Sequence, residues 1–252
     1  MSVAAVVVAH GPDPWLERCL AALQTQVHEL VVVQNLPTEP SVSLPGVVVV
    51  SNDRPAGLSQ NLNRGIAATS APWIVVANPD TIADVGAVET LVGFAASHSR
   101  AGVLGPRIRT ADGAWQPSRR GFPTVSGTLV RRTPLRGLLK PQQHQRSHYL
   151  LDEDVADPVR ADWLLGAFLL LRRSMLDELG GFDEGFRLYG EEIDLCYRAA
   201  KAGWERWYVP AAAVMHRSSA VTDRRFLTRH TLWHLQSIVR FVRKHPERLR
   251  AL

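Results

Sequence analysis

The chain is 252 residues long, 46% apolar and 21% charged, with a formal net charge of +5. That composition supports one large α/β domain with a sizeable core and excludes collagenous or low-complexity architectures. No apolar run reaches the roughly 18 residues that a membrane-spanning helix needs. Two isolated cysteines, Cys19 and Cys196, fit the core of a cytosolic protein, not a disulfide frame or a zinc site. Arginine dominates the positive charge, much of it in residues 100–146 and from Arg224 onward. It favours anionic partners: nucleic acid, phosphorylated metabolites or an anionic membrane face.

The N-terminal run Val3–Ala9 lacks a basic leader and reads as a first buried strand instead of a signal peptide. Pro14–Leu23 follows as a helix, with Asp13 as N-cap and Pro14 at the first position. Leu30–Val33 and Val47–Val50 are strands, Leu58–Ala68 a helix, Trp73–Ala77 a fourth strand and Val85–Ala96 a helix, and a fifth strand begins at Val103-Leu104. Alternating strands and helices imply parallel βαβ units with both sheet faces covered. Residues 107–160 break the rhythm with five prolines and many Arg, Gln and His, which reads as a long mobile basic loop. Beyond it come a strand at Trp163–Leu171, a helix at Arg173–Leu179 ended by Gly180-Gly181, and a helix at Glu191–Ala202 ended by Gly203. Short strands at Trp207–Val209 and Ala213–Met215 precede a helical pattern from Asp223 to about His245. The expected division is one catalytic unit over 1–222 and a basic amphipathic helical segment over 223–252.

Three segments can carry chemistry. The run Trp73–Ala77 ends in Asn78-Pro79-Asp80, where proline stops the strand and Asp80 is delivered past its C-terminal end. Ligands bind at that edge of open α/β sheets, although Asn-Pro is equally a common turn signal. Glu191, Glu192 and Asp194 crowd a helix start after a Gly-punctuated aromatic loop. The helix dipole alone accounts for acidic first turns, and Asp194 with Arg198 makes an ordinary i,i+4 pair. His216 follows a short apolar strand and precedes a polar loop. Asp80, the carboxylate pair and His216 together could form a hard-cation site beside a general base, suited to Mg2+ or Mn2+.

These segments, in this order, are similar to glycosyltransferase family 2, and within it to the bacterial rhamnosyltransferase-like group. The match includes Leu16-Glu17-Arg18-Cys19-Leu20, Asn63-Arg64-Gly65-Ile66-Ala67, Asn78-Pro79-Asp80-Thr81 and Gly105-Pro106-Arg107. It continues through Gln116-Pro117-Ser118-Arg119-Arg120, Asp162-Trp163-Leu164-Leu165-Gly166-Ala167, Gly180-Gly181-Phe182-Asp183-Glu184, the Glu-Glu segment and His216. The resemblance implies a GT-A fold, with a mostly parallel central sheet flanked by helices and here a C-terminal amphipathic helix.

It also implies roles. Asn78-Pro79-Asp80 stands where the family has Asp-x-Asp, so Asp80 would hold a divalent metal (Mg2+ or Mn2+) on the donor diphosphate, with His216 completing the coordination. Glu192 would be the general base and Glu191 would orient the acceptor; the family usually has Asp at the base position. The donor nucleotide would meet His10, Gln34, Asn35, Asp53, Asn61, Arg64 and Asn78. His10-Gly11-Pro12 and Gln34-Asn35 stand where the family usually has Thr-Tyr-Asn and Asp-Asn, though the Gln34 carbonyl can still accept a pyrimidine N–H. Trp163 and Gly166 would shape donor-sugar and acceptor binding, and Arg119 and Arg120 would close over the diphosphate. For Trp163 plain core, and for the arginines a solvated loop, are equal readings.

The expectation is therefore a metal-dependent inverting glycosyltransferase that uses dTDP-L-rhamnose and a polyprenyl-diphosphate-linked GlcNAc acceptor. It would be cytoplasmic and peripheral at the inner face of the membrane. Alternatives are another donor, such as UDP-galactofuranose, UDP-GlcNAc or a GDP-sugar, and a non-catalytic sugar-nucleotide binder. A nucleic-acid partner is disfavoured by the acidic cluster at Glu191–Asp194. The C-terminal helix suits an anionic membrane surface, its own core or a homodimer partner.

Overall fold

The structure, a computed structural model, describes residues 1–11, 13–36, 44–122, 155–217 and 229–249. Its first half runs β1 Val3–Ala9, α1 Pro14–Gln24, β2 Glu29–Gln34, β3 Val47–Ser51, α2 Leu58–Ala67, β4 Trp73–Ala77, β5 Thr81–Ala83, α3 Ala87–Ala96 and β6 Ala101–Arg109. Then come β7 Trp115–Gln116, β8 Arg119–Arg120, β9 Val159–Arg160, β10 Trp163–Leu164, β11 Phe168–Arg172, α4 Arg173–Leu179 and α5 Glu191–Lys201. β12 Glu205–His216, α6 Arg229–Lys244 and a 3-10 turn at Pro246–Leu249 complete it.

The main sheet has the order β3-β2-β1-β4-β11-β6-β12-β5. β3, β2, β1 and β4 are mutually parallel, as are β6 and β12, while β11 and β5 run antiparallel to their neighbours. Every residue of β1 and β4 is buried, as expected of strands covered on both faces. Alternation sorts them into two cores. Val3, Ala5, Val7 and Ala9 meet α1 and α3, whereas Val6 and Val8 meet α2, α4 and α5. Each buried Leu or Val in these layers contributes about 1.5–3 kcal/mol. Asp13 caps α1 as its sequence implies, accepting from the Trp15 N–H at 2.9 Å, with Pro14 in the first turn.

Several expectations need correction. Trp163–Leu171 is not one strand. The chain turns at residues 165–167, so β10 pairs with β8 in a separate two-stranded sheet while β11 enters the main sheet. Conversely, Trp207–Val209 and Ala213–Met215 are parts of one strand, β12, with a register shift between Val209 and Ala213 that accommodates Pro210. The helix expected from Val85 starts at Ala87, leaving Val85 fully exposed. The expected basic loop is ordered at both ends: residues 107–122 finish β6 and form β7 and β8, and 155–160 lead into β9. Residues 123–154 of that loop, and the start of the C-terminal helical pattern with its boundary at 222/223, lie outside the described residues.

Gly65 shows how tightly the layers meet. A Cβ there would lie 2.3 Å from Val6 Cγ1, so α2 packs its backbone directly on β1. Gly65→Ala therefore overpacks the core and destabilises by about 1–3 kcal/mol, read as a lower urea midpoint at unchanged slope; an unchanged midpoint contradicts this packing.

Candidate active site

β4 ends because Pro79 has no N–H for the ladder. The chain turns through Asn78-Pro79-Asp80 and re-enters the sheet as β5, where Thr81 pairs with His216 of β12. This register brings Asp80 Oδ1 to 3.4 Å from His216 Nε2, with Asn78 Nδ2 3.5 Å from the same nitrogen. The other ring nitrogen of His216, Nδ1, lies 2.9 Å from Gln116 Oε1. Because a carboxamide oxygen only accepts, Nδ1 carries a hydrogen, and Nε2 is the ring nitrogen that faces Asp80. The turn is supported from below. Thr81 Oγ1 donates to the Asn78 carbonyl at 2.8 Å, and Cys19 Sγ lies 3.5 Å from the same oxygen. Burial pushes the Cys19 thiol up to about 12, so it stays protonated as a weak donor.

Glu191 and Glu192 open α5 after two consecutive left-handed residues, Tyr189 (φ 69°) and Gly190 (φ 88°). A tyrosine in that region costs on the order of 1–3 kcal/mol, so this turn is held by its surroundings. Glu191 is buried, and its Oε2 and the Glu192 Oε2 have no hydrogen-bond partner. Burial, then repulsion from Glu192, raises the Glu191 carboxyl well above the ordinary range. Glu192 is also raised by burial, opposed by backbone N–H groups at the helix start and by the charge of Arg120. A carboxylate pair with elevated proton affinity, each member keeping one buried oxygen without a hydrogen-bond partner, suits proton abstraction.

Two segments join these halves. In the turn between β10 and β11, the Ala167 carbonyl accepts from the Asn78 N–H at 2.9 Å, while the Gly166 position lies against Glu192: a Cβ there would be 3.4 Å from Glu192 Cβ. Residues 116–120 run across the same ground. Gln116 reaches His216; Ser118 accepts from the Leu165 N–H at 2.9 Å; Arg119 and Arg120 pair with Leu164 and Trp163. The Arg120 guanidinium lies 5.0 Å from the centre of the Trp163 ring, whose Nε1–H donates to the Gly121 carbonyl at 2.8 Å. Trp163 is thus both buried core and the support of Arg120.

A run of amides lines the ends of β1, β2 and β3. Asn35 Nδ2 is 2.9 Å from His10 Nδ1, and Asn35 Oδ1 accepts from Asn52 Nδ2 at 3.0 Å. Asn52 Nδ2 also donates to Asn61 Oδ1 at 2.7 Å, and Arg64 donates to Asn52 Oδ1. Gln34 is buried beside them, accepting from Ser51 Oγ at 3.3 Å. Asp53 is not part of this run: its side chain is exposed, and the uncharged Asn52 takes the inward position. The reading of the sequence missed Asn52 and Gln116. Both could be found as polar residues at strand ends, Gln116 inside a matched motif, but neither carries a charge to draw notice.

Asp80 and His216 supply one carboxylate oxygen and one imidazole nitrogen, a set that fits Mg2+ or Mn2+ when a ligand provides further oxygens. Among the described residues no group of three or more His, Cys, Asp or Glu could hold a metal alone. Nor is any helix among them long and apolar enough to cross a membrane.

The buried carboxylates have a consequence for stability. Their folded-state proton affinity exceeds the unfolded one, so between the ordinary glutamate value of 4.5 and the raised value the native state binds more protons. Stability then falls as pH rises through that window. Glu191→Gln removes this loss. Its melting temperature relative to wild type should rise from about pH 4 to about pH 8 by about 2 °C or more, the equivalent of ~1 kcal/mol at this size. A difference that stays constant with pH contradicts the assignment.

Comparison with known proteins agrees with this geometry. The chain matches the model of "Glycosyltransferase like family 2" over residues 2–233. It is 32% identical to the N-acetylglucosaminyl-diphospho-decaprenol L-rhamnosyltransferase of Mycobacterium tuberculosis, over 87% of this chain and 77% of that one. It is 35% identical to the rhamnosyltransferase WbbL of Escherichia coli K12 over 50% of this chain and 44% of that one. Among solved structures it superposes on GalNAc-T7 with UDP, GalNAc and Mn2+ at a TM-score of 0.71, with 18% identity and 97% of this chain covered. It spans about half of that chain (48%). The mannosyltransferase PcManGT of Pyrobaculum calidifontis, in complex with GDP-Man and Mn2+, superposes at a TM-score of 0.58, with 16% identity and 96% of this chain and 64% of that one covered. With its mixed sheet of GT-A type, the chain belongs to glycosyltransferase family 2.

Proposed function

We propose that this protein transfers L-rhamnose from dTDP-L-rhamnose to a polyprenyl-diphosphate-linked GlcNAc with inversion at the anomeric carbon. The observation that carries the reading is that the Gly166-Ala167 turn and the Gln116–Arg120 segment each bridge the Asn78–Asp80 turn or His216 to Glu192, whose Oε2 is buried without a hydrogen-bond partner. The mycobacterial relative's name supplies the donor sugar and the acceptor class.

In this reading Glu192 takes the proton of the acceptor hydroxyl as its oxygen attacks the anomeric carbon, and Glu191 orients that hydroxyl. The sugar–phosphate bond breaks on the opposite face, and dTDP leaves. Asp80 and His216 would hold a divalent cation, which would supply charge stabilisation for a departing diphosphate. Gln116 fixes the His216 tautomer. Arg119 and Arg120 lie along the same wall for the phosphates. The amide run at Asn35, Asn52 and Asn61, with His10 and Gln34, receives the nucleoside through uncharged groups, and Arg64 adds a single positive charge.

The test is a thermal-shift panel of nucleotide sugars with Mn2+, followed by transfer assays. Stabilisation by dTDP-rhamnose and transfer that Glu192→Gln and Asp80→Ala each reduce by about 100-fold or more are expected. Stabilisation by UDP-sugars alone, or transfer that survives Glu192→Gln, contradicts the reading.

A lipid-linked acceptor calls for work at the cytoplasmic face of a membrane, and α6 offers a surface for it. Its outward face carries Leu232, Leu235 and Val239, exposed by 61%, 43% and 48%, with exposed Arg243 beyond them. The helix contains no acidic residue. Such a face suits an anionic bilayer. The protein should co-sediment with phosphatidylglycerol vesicles at low salt and less with neutral ones, and the double variant Leu235→Gln, Val239→Gln should weaken binding by about tenfold. No binding to anionic vesicles at low salt rules this surface out.

A further inference from the structure

Beyond the residues that face substrate, the C-terminal helix grips the element that carries the carboxylate pair. We propose that α6, through Lys244, is the positioning element for Glu191 and Glu192; the consequence for transfer rests on the function proposed above. Lys244 Nζ bridges two carboxylates, lying 2.6 Å from Asp183 Oδ2 and 2.9 Å from Asp194 Oδ1. Asp183 stands ahead of the strained Tyr189-Gly190 turn, and Asp194 sits one turn into α5 beyond the glutamates. One ammonium group therefore ties together the two ends of the segment that delivers Glu191 and Glu192.

The grip has more than one contact. Asp194 is completely buried and also accepts from Arg198 at 2.7 Å and from His245 Nε2 at 2.8 Å. Arg240 pairs with Asp183, its guanidinium lying where any side chain at position 185 would stand, so Gly185 is required for the approach. Ser237 Oγ donates to the Leu188 carbonyl at 3.0 Å, directly before the strained turn, and the His234 ring lies 5.4 Å from that of Tyr189. A left-handed Tyr-Gly pair persists only where neighbours over-determine it, and here α6 supplies neighbours through Ser237 and His234, alongside Phe186. The pairs to the completely buried Asp194 add little net stability but constrain geometry once formed. Lys244 acts on the glutamates through Asp183 and Asp194, so it is a positioning residue, not a catalytic one.

The test compares the full-length wild type with Lys244→Met, Lys244→Arg and Ser237→Ala. Hydrogen exchange across residues 186–193 should speed up by about tenfold or more in Lys244→Met, with β1 and β4 unchanged, and Lys244→Arg should restore most of the protection. In transfer assays Lys244→Met should lower kcat by about tenfold or more while donor KM stays within about threefold, since the nucleotide pocket lies on other elements. Ser237→Ala, which removes one hydrogen bond, should show the same pattern at smaller size and serves where Lys244→Met does not fold. Unchanged exchange over 186–193 in both variants overturns the proposal, whether or not the donor has been identified. Unchanged exchange with lost transfer in wild type would instead sink both readings, and faster exchange without wild-type transfer would sink only the functional one.

Discussion

The short antiparallel ladder between β5 and β12 is the constraint on which the site depends. Three register pairs, Val214 with Ala83, Met215 with Ile82 and His216 with Thr81, bring together residues far apart in the chain. Slipping this pairing by one residue would turn every side chain of β5 to the opposite face. Asp80 and His216 would then no longer meet, and Gln116 would orient an imidazole with no carboxylate before it. Everything upstream serves the ladder: the fully buried β1 and β4 fix the height of the sheet edge, Pro79 ends β4 there, and Cys19 and Thr81 hold the Asn78 carbonyl in the turn.

The other half of the site is built against local preference. A helix N-terminus welcomes negative charge, yet Glu191 and Glu192 open α5 with one oxygen each, Oε2, buried without a hydrogen-bond partner. The elevated proton affinity that results costs stability at neutral pH, and the left-handed Tyr189 adds strain. One turn later the balance reverses. Burial would raise Asp194, but the hydrogen bond from His245 and the Arg198 and Lys244 charges outweigh it and hold that carboxylate below its ordinary value. The same helix thus carries two carboxylates left poised and one fully satisfied, which is the pattern expected where chemistry and anchoring are divided between neighbouring positions.

Much of this was legible in the sequence for definite reasons. β1, β2 and β4 are continuous apolar runs because both faces are covered, and α1 announces itself through Asp13 and Pro14. Asp80, Glu191, Glu192 and His216 stood out as charged or titratable groups at element ends. What stayed hidden depended on non-local geometry. β5, β7, β8 and β9 are two or three residues long, too short for any period to register. The apolar run Trp163–Leu171 conceals a break at Gly166, while Pro210 makes the single strand β12 look like two. At the end of β3 the charged Asp53 drew notice, while its neutral neighbour Asn52, which joins Asn35 to Asn61, did not. The C-terminal helix read as amphipathic, yet nothing in its pattern indicated that Lys244 would join Asp183 to Asp194.

In the proposed function, Asp80 and His216 form half of a metal site that the donor diphosphate completes. Calorimetric titration of dTDP into the protein with and without Mn2+ tests it most directly, because coupling between two ligands must be reciprocal. The account predicts that Mn2+ alone binds weakly and strengthens dTDP binding by about tenfold or more, and that His216→Ala abolishes the enhancement. Tight Mn2+ binding without nucleotide, or equal dTDP affinity with and without the metal, would contradict it.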